Sequence, residues 1–465
     1  MTLRFRKDGT FRVLQMADIQ DKPDVDKDTI RLIEEAIHVA DPDLVVLTGD
    51  QIRGYDPAYI DTFLRRRGEE PGARVRVITE IEAKLQGVRR RMAQRRNPDM
   101  PPVDDVVTLD ELMDDTRTKV RDTFAAFLGP MVNAGVPFAA TYGNHDFQCG
   151  ILADEQDDIY REFPGCLNPQ AGSDALALEP GTFALPVEAS DGSGRVILNV
   201  TMINSGDYAD KNTPAERDAQ YPLYATNPRR LDLADSDGYG TPSPEAIAWL
   251  GDVQRELAAR NGDGRPVPSI AFQHIPPQEF YDVLREMPAW TPNAVEGART
   301  HAGRCYVLDE GKCRPGSRLG EAIGCADENV GEVAAMREAG GYFALFCGHD
   351  HKNSFVGHDG GIDLGYAPTC GFECYGPKSR YRGIRLFEFH EEDPADYVTH
   401  MLTWGDLVGR YSGNELRVWF EDHCVTDGAS LRNELRRPEV FAALAAAAGA
   451  GAYGLARLVQ RRRIR

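Results

Sequence analysis

The sequence has no C-x-x-C pair, no internal repeat, no long basic run and no apolar stretch behind its first methionine. Each absence removes a class of protein. With 53 Lys and Arg against 73 Asp and Glu, the net charge is −20. Such a chain repels a phosphate backbone unless a local basic surface or bound cations reverse the field, so nucleic acid is disfavoured as a partner. Nine cysteines, an odd number without zinc-ligand spacing, read as free thiols in a reducing, cytoplasmic compartment. What is present is an ordinary globular composition, 42% hydrophobic and 27% charged over 465 residues. That excludes disorder, collagen-like repeats and disulfide miniproteins. One apolar run stands out near the C-terminus, at 440–456, rich in Ala and Gly. It is preceded by Arg436 and Arg437 and followed by Arg457, Arg461, Arg462 and Arg463. Two readings fit it: an alanine helix, loose or packed, or a membrane anchor through residues 440–459.

Residues 11–17 read as a strand ending in Asp18, residues 29–40 as a helix, and 43–47 as a second strand ending in Gly49-Asp50. This is a βαβ unit, whose parallel strands bring both aspartates to one sheet edge. Residues 55–118 break the pattern and read as an insertion, with an arginine-rich helical part and an acidic part. A helix over 120–134 then leads to a strand over 136–141 that delivers Gly143-Asn144-His145-Asp146. Further strands are expected at 195–203, at 269–273 before His274, and at 342–346 before Gly348-His349-Asp350-His351. Segments 206–242 and 279–328 read as further insertions. Short runs at 354–356, 362–364, 383–389 and 397–402 suggest a second, antiparallel sheet. The expected architecture is a two-sheet α/β sandwich flanked by helices, spanning 1–410, with a C-terminal extension over 411–465.

Asp18, Asp50, Asn144, His274, His349 and His351 are oxygen and nitrogen donors, each placed at the carboxyl end of a strand in what reads as one sheet. The set suits two divalent cations, which repel each other and therefore need a bridging carboxylate, for which Asp50 is the natural choice. Neutral imidazoles and an amide in the other positions leave the pair net positive charge for a phosphate.

Asp18-Ile19-Gln20, Gly49-Asp50-Gln51, Gly143-Asn144-His145-Asp146, His274-Ile275-Pro276 and Gly348-His349-Asp350-His351, in this order, resemble the calcineurin-like metallophosphoesterase superfamily. Residues 3–18 and 371–382 are similar to its purple-acid-phosphatase-like branch. The resemblance implies a four-layer α/β/β/α fold. It also implies that Asp18 and His351 hold one metal, that Asp50 bridges, and that Asn144, His274 and His349 hold the other. His145 is then left to protonate the leaving oxygen or stabilise developing charge, with Asp146 orienting its imidazole. Gln20 stands where the family usually has a histidine ligand. Its carbonyl is a harder, weaker donor that favours Mn²⁺, Mg²⁺ or iron over zinc. No tyrosine lies between Asp18 and Gln51, which implies a colourless protein. Arg53, Tyr375, Lys378, Arg380 and Arg382 are candidate substrate contacts, although roles at the surface or at strand ends fit them as well.

The expectation is a binuclear phosphatase that hydrolyses small phosphate esters through a hydroxide held between two divalent metals (Mn, Fe, Zn or Mg). The alternatives are a phosphodiesterase acting on nucleotide or lipid-headgroup esters, and a non-catalytic interaction module that keeps the fold. Oligomeric state is left open.

Overall fold

The computed structural model describes residues 2–66, 77–97, 108–209, 238–413, 416–424 and 428–463. Most of the 206–242 insertion and parts of 55–118 therefore lie outside the described residues.

Alternating burial along the first strands builds the architecture. In Thr10–Met16, Phe11 and Val13 face one way while Leu14 and Met16 face the other; in Leu44–Thr48, Leu44 and Val46 oppose Val45 and Leu47. A strand carrying apolar residues on both faces must be covered on both. One cover is helical, with Lys27–Ala40 and Leu109–Ala134 burying Leu32, Ile33, Phe124, Phe127 and Leu128. The other is a second sheet, whose Leu198, Val200, Ile270, Phe272, Ala344 and Phe346 meet Phe11, Val13, Leu44 and Val46. Caps fix the helix ends. Asp26 caps the first helix, and Thr108 with Glu111 forms a capping box that starts the longer one.

The first sheet runs, in spatial order, Val398–Thr403, Gly383–His390, Thr10–Met16, Leu44–Thr48, Phe138–Thr141; the last three are mutually parallel. The second runs Leu3–Arg4, Thr182–Glu188, Val196–Met202, Ser269–Gln273, Tyr342–Cys347, Ile362–Tyr366, Val356–Asp359. Helices Pro244–Asn261 and Glu332–Ala339 cover its outer face. The result is the four-layer α/β/β/α sandwich.

Two expectations change. The four late strands do not form a sheet of their own. Two of them extend the second sheet beside Tyr342–Cys347, and two extend the first, Gly383–His390 pairing with Thr10–Met16 and Val398–Thr403 with Gly383–His390. The reason is edge pairing: each of these hairpins completes an otherwise open sheet edge. The site strands also do not share one sheet, since Thr10–Met16, Leu44–Thr48 and Phe138–Thr141 lie in the first and Ser269–Gln273 and Tyr342–Cys347 in the second. Segment 279–328, which reads as an insertion, has secondary structure of its own. It holds a small antiparallel sheet of Leu284–Met287, Cys305–Leu308 and Val295–Glu296. All nine cysteines are free.

Candidate metal centre

Five loops leave the carboxyl ends of these parallel strands and converge where the two sheets meet. Their backbones are strained at the turning points: φ is +52° at Asp18, +41° at Gln20, +53° at Asp50 and +75° at His349. Left-handed backbone is costly for residues with a side chain, and its clustering marks a place where geometry has been bought for function. Gly49, at φ +90°, has no such cost, and a Cβ there would lie 2.5 Å from Nδ1 of His274. A Cβ on Gly143 would lie 2.2 Å from Oδ1 of Asp50.

The side chains form two overlapping groups, Asp18 with Asp50 and His351, and Asp50 with His274 and His349, each with ligand atoms within 4.8 Å of one another. Asp50 is common to both. Its Oδ2 is 3.2 Å from Nε2 of His274, and Oδ1 of Asp18 is 3.2 Å from Nε2 of His351. Nδ1 of His349 is 3.2 Å from Nε2 of His274. The far nitrogens are held by main chain: Nδ1 of His274 lies 2.9 Å from the Thr48 carbonyl and Nδ1 of His351 2.6 Å from that of Tyr375. A carbonyl only accepts, so both rings carry their proton on Nδ1 and aim Nε2 inward, the usual outer-shell arrangement for ligating histidines.

Asn144 lies beside this cluster. Its Nδ2 donates to the Tyr208 hydroxyl at 2.9 Å, while its buried Oδ1 finds no donor among the described residues. A buried acceptor without a partner is expensive, and a cation at this spot satisfies it. The donor set therefore fits two hard or borderline divalent ions.

Electrostatics without an ion shows the same frustration. Burial acts to raise the Asp50 carboxyl, yet His274 and His145 outweigh it and hold the group well below the usual carboxylate range. Burial lowers His274 but Asp50 prevails and lifts it to about 9, whereas burial and His274 push His349 well below the ordinary imidazole value. Adjacent rings pulled in opposite directions mark a tightly coupled, buried cluster of acid and imidazole groups.

Gln20 and Asp146 depart from expectation. Nε2 of Gln20 points to Oδ2 of Asp50 at 3.3 Å, so the amide acts as a donor to that carboxylate. Asp146 does not orient the imidazole. Its Oδ2 accepts from the backbone N–H groups of Asp50 (2.7 Å) and Gly143 (2.8 Å), and its Oδ1 from those of Gln51 (2.8 Å) and Ile52 (3.1 Å). It ties the second loop to the third. The ring of His145 is partnered at Nδ1 by Oε1 of Gln148, 2.6 Å away, and Tyr55 packs edge-on at 4.8 Å between ring centroids. Gln148 was missed because its role depends on the single turn that follows Gly-Asn-His-Asp. Nε2 of His145 faces Asp50 at 4.0 Å.

Among the candidate substrate contacts, Arg382 is fully buried and donates to the carbonyls of Gly371 and Cys374, so it is structural. Arg53 is buried beside Glu373 and Asp56, and Arg380 stacks on Tyr381. Tyr375 is 42% exposed and lies flat on His351, with ring centroids 4.1 Å apart. Tyr239 meets His349 edge-on at 4.4 Å.

No family model matches the chain. Three curated proteins of Arabidopsis thaliana do. Probable inactive purple acid phosphatase 28 is 21% identical over 442 residues, covering 88% of this chain and 84% of its own. Probable inactive purple acid phosphatase 29 is 20% identical over 411 residues, covering 83% and 78%. Probable inactive purple acid phosphatase 14 is 22% identical over 276 residues, 56% of each. The chain is thus similar to proteins of the purple acid phosphatase type. Solved structures similar to it include a dimetal phosphatase from Danio rerio (11% identity, 84% of this chain and 98% of that one, TM-score 0.41) and GAP50, the anchor in the inner membrane complex of Plasmodium (10% identity, 90% and 97%, TM-score 0.34). The similarity to the first two curated proteins extends along most of the chain.

Proposed function

We propose that the protein is a binuclear metal-dependent phosphoesterase acting on small phosphate esters. The observation that carries this reading is the shared carboxylate of Asp50 between two buried Asp/His groups, with the orphaned oxygen of Asn144 beside them. In this reading Asp18, Asp50 and His351 hold one divalent ion, and Asp50, Asn144, His274 and His349 hold the other. Two such ions supply Lewis-acid polarisation of a phosphoryl oxygen and an ionised water at neutral pH. The chain's own part is to fix that donor set, to exclude water around it and to present Nε2 of His145 to the departing oxygen, with Nδ1 held by Gln148. Proton transfer from such a group contributes about 10²–10⁴-fold.

A second reading, a binding module without turnover, is favoured by one observation: Gln20 donates to Asp50 instead of adding a ligand. The matched relatives also carry names that say probable inactive. One experiment separates the two. Metal-free protein is assayed on p-nitrophenyl phosphate and bis-p-nitrophenyl phosphate with Mn²⁺, Zn²⁺, Mg²⁺ or Fe²⁺ added singly, beside Asp50→Asn and Gln20→His. Metal-dependent turnover lost in Asp50→Asn supports the enzyme, and the preferred ester chooses monoester or diester. No turnover with any metal, but turnover in Gln20→His, supports the binding module.

We also propose membrane attachment through the C-terminal helix. Pro438–Arg457 is long and apolar enough to cross a bilayer, with mean hydropathy 1.4, and none of that stretch is buried against the rest of the protein. Deleting 438–465 releases the protein from membrane pellets on this reading; a full-length protein that stays in the supernatant overturns it.

A further inference from the structure

The helix Pro438–Arg463 does not leave the protein freely. Its base is pinned to the loop between the strands Leu284–Met287 and Val295–Glu296. The Arg436 carbonyl accepts from the Asn293 N–H at 3.0 Å, and Nε of Arg436 donates to the Ala289 carbonyl at 2.8 Å. Just upstream, in the helix Gly428–Leu435, Nε of Arg432 pairs with Glu296 at 3.0 Å. The residue between those pinned carbonyl and amide groups that has the largest apolar surface is Trp290, and it is 83% exposed. No other large hydrophobic side chain in the described structure is so exposed. Trp249 and Trp404 are buried, and Trp419 is 46% exposed.

An indole left in water next to the point where an apolar helix departs has a ready physical explanation. Tryptophan is favoured at the bilayer interface, where its ring is buried among headgroups and its N–H stays wet. Charge agrees. In a chain of net charge −20, residues 428–463 carry seven arginines and two glutamates, a local positive excess that an anionic membrane surface attracts.

We infer that the loop around Trp290 is a second membrane contact, docking on an anionic phospholipid bilayer at the root of the C-terminal helix and setting the pose of the catalytic domain on the membrane. The inference rests on the membrane attachment proposed above. The same 279–328 segment carries Gly324, where a Cβ would lie 2.7 Å from Nε2 of His349. Trp290 and this wall of the metal centre thus belong to the same insertion.

The test uses full-length protein with vesicles of phosphatidylcholine, alone or with phosphatidylserine, in which part of the phosphatidylcholine carries brominated acyl chains. Pelleting reports attachment; quenching of tryptophan emission reports which indole reaches the bilayer. Expected is quenching of a component of the emission that is lost in Trp290→Phe and kept in Trp419→Phe, with pelleting unchanged in both, and quenching greater with phosphatidylserine present. Protein that pellets while Trp290→Phe keeps the whole quenchable component overturns the docking and leaves the anchor standing. Protein that fails to pellet with either vesicle overturns both.

Discussion

Asp146 offers the sharpest separation of a structural role from a catalytic one, because Asp146→Asn changes one atom in a fully buried group. The carboxylate gathers four backbone N–H groups, two on each oxygen. An amide keeps the acceptor pair on one oxygen and turns an NH₂ towards the other two donors. With the oxygen kept for Gln51 and Ile52, the N–H groups of Asp50 and Gly143 face a donor and lose their acceptor. Each buried donor so orphaned costs about 1–3 kcal/mol, so the loss is about 2–6 kcal/mol. Against a total stability of about 5–15 kcal/mol this is large, and for a chain of this size it lowers the Tm by roughly 2–6 °C. Because those two donors belong to the loops carrying Asp50 and Asn144, metal affinity falls with it. The assay is thermal unfolding of metal-free protein by circular dichroism, followed by Mn²⁺ titration of the same samples. An unchanged Tm with turnover down by 10²-fold or more would refute this reasoning and return Asp146 to the imidazole.

The remaining predictions concern neighbouring groups. Gln148→Leu removes the acceptor for Nδ1 of His145 at little cost in Tm, and turnover falls about 10-fold or more while metal stoichiometry holds at two; retained turnover excludes the positioning role. Gly49→Ala places a methyl against His274 at a backbone φ of +90°, and strain with overpacking costs about 2–5 kcal/mol, read as a lower Tm and weaker metal binding. Glu332, buried with Oε2 3.2 Å from Nε2 of Gln273, is pushed up to about 8 by burial. A carboxyl whose folded pKa lies above its unfolded one favours the folded state at low pH. That contribution declines as pH rises from about 4.5 to about 8. Glu332→Gln therefore raises the Tm at pH 8 and leaves it near wild type at pH 4.5, and an equal shift at both pH values contradicts the protonated state.

The βαβ start was legible because its signals are local: an apolar run, a helical period and an aspartate at each strand end. Ser269–Gln273 is found at its expected residues for the same reason. Which sheet each strand joins was not legible, because Gly383–His390 pairs with Thr10–Met16 across more than 360 residues of chain and no local pattern encodes that choice. The strand Thr182–Glu188 went unread since Pro186 interrupts its alternation. At the site, residue types pointed to Asp18, Asp50, Asn144 and the three histidines. The direction of an amide is a different matter: whether Gln20 offers oxygen or nitrogen, and whether Gln148 or Asp146 reaches His145, depends on turns of a few residues that residue type does not encode.

The split of the site between two sheets bears on how it is held. Asp18, Asp50 and Asn144 ride on the first sheet, and His274, His349 and His351 on the second. The sheets are joined at the site by short links of their own, from the His349 N–H to Oδ2 of Asp18 at 2.9 Å and from Nδ1 of His274 to the Thr48 carbonyl at 2.9 Å. Below them lies the shared apolar core of Phe11, Val13, Leu198, Phe272 and Phe346. In the proposed reading each metal takes ligands from both sheets, so binding metal also clamps the sandwich. Part of the binding free energy then becomes folding free energy. Metal added to the wild-type chain accordingly raises its Tm by more than it raises that of His274→Ala, in which the second sheet keeps its fold but loses the His274 contacts to Asp50 and Thr48. Equal gains in the two proteins would show that the metals sit on one sheet alone.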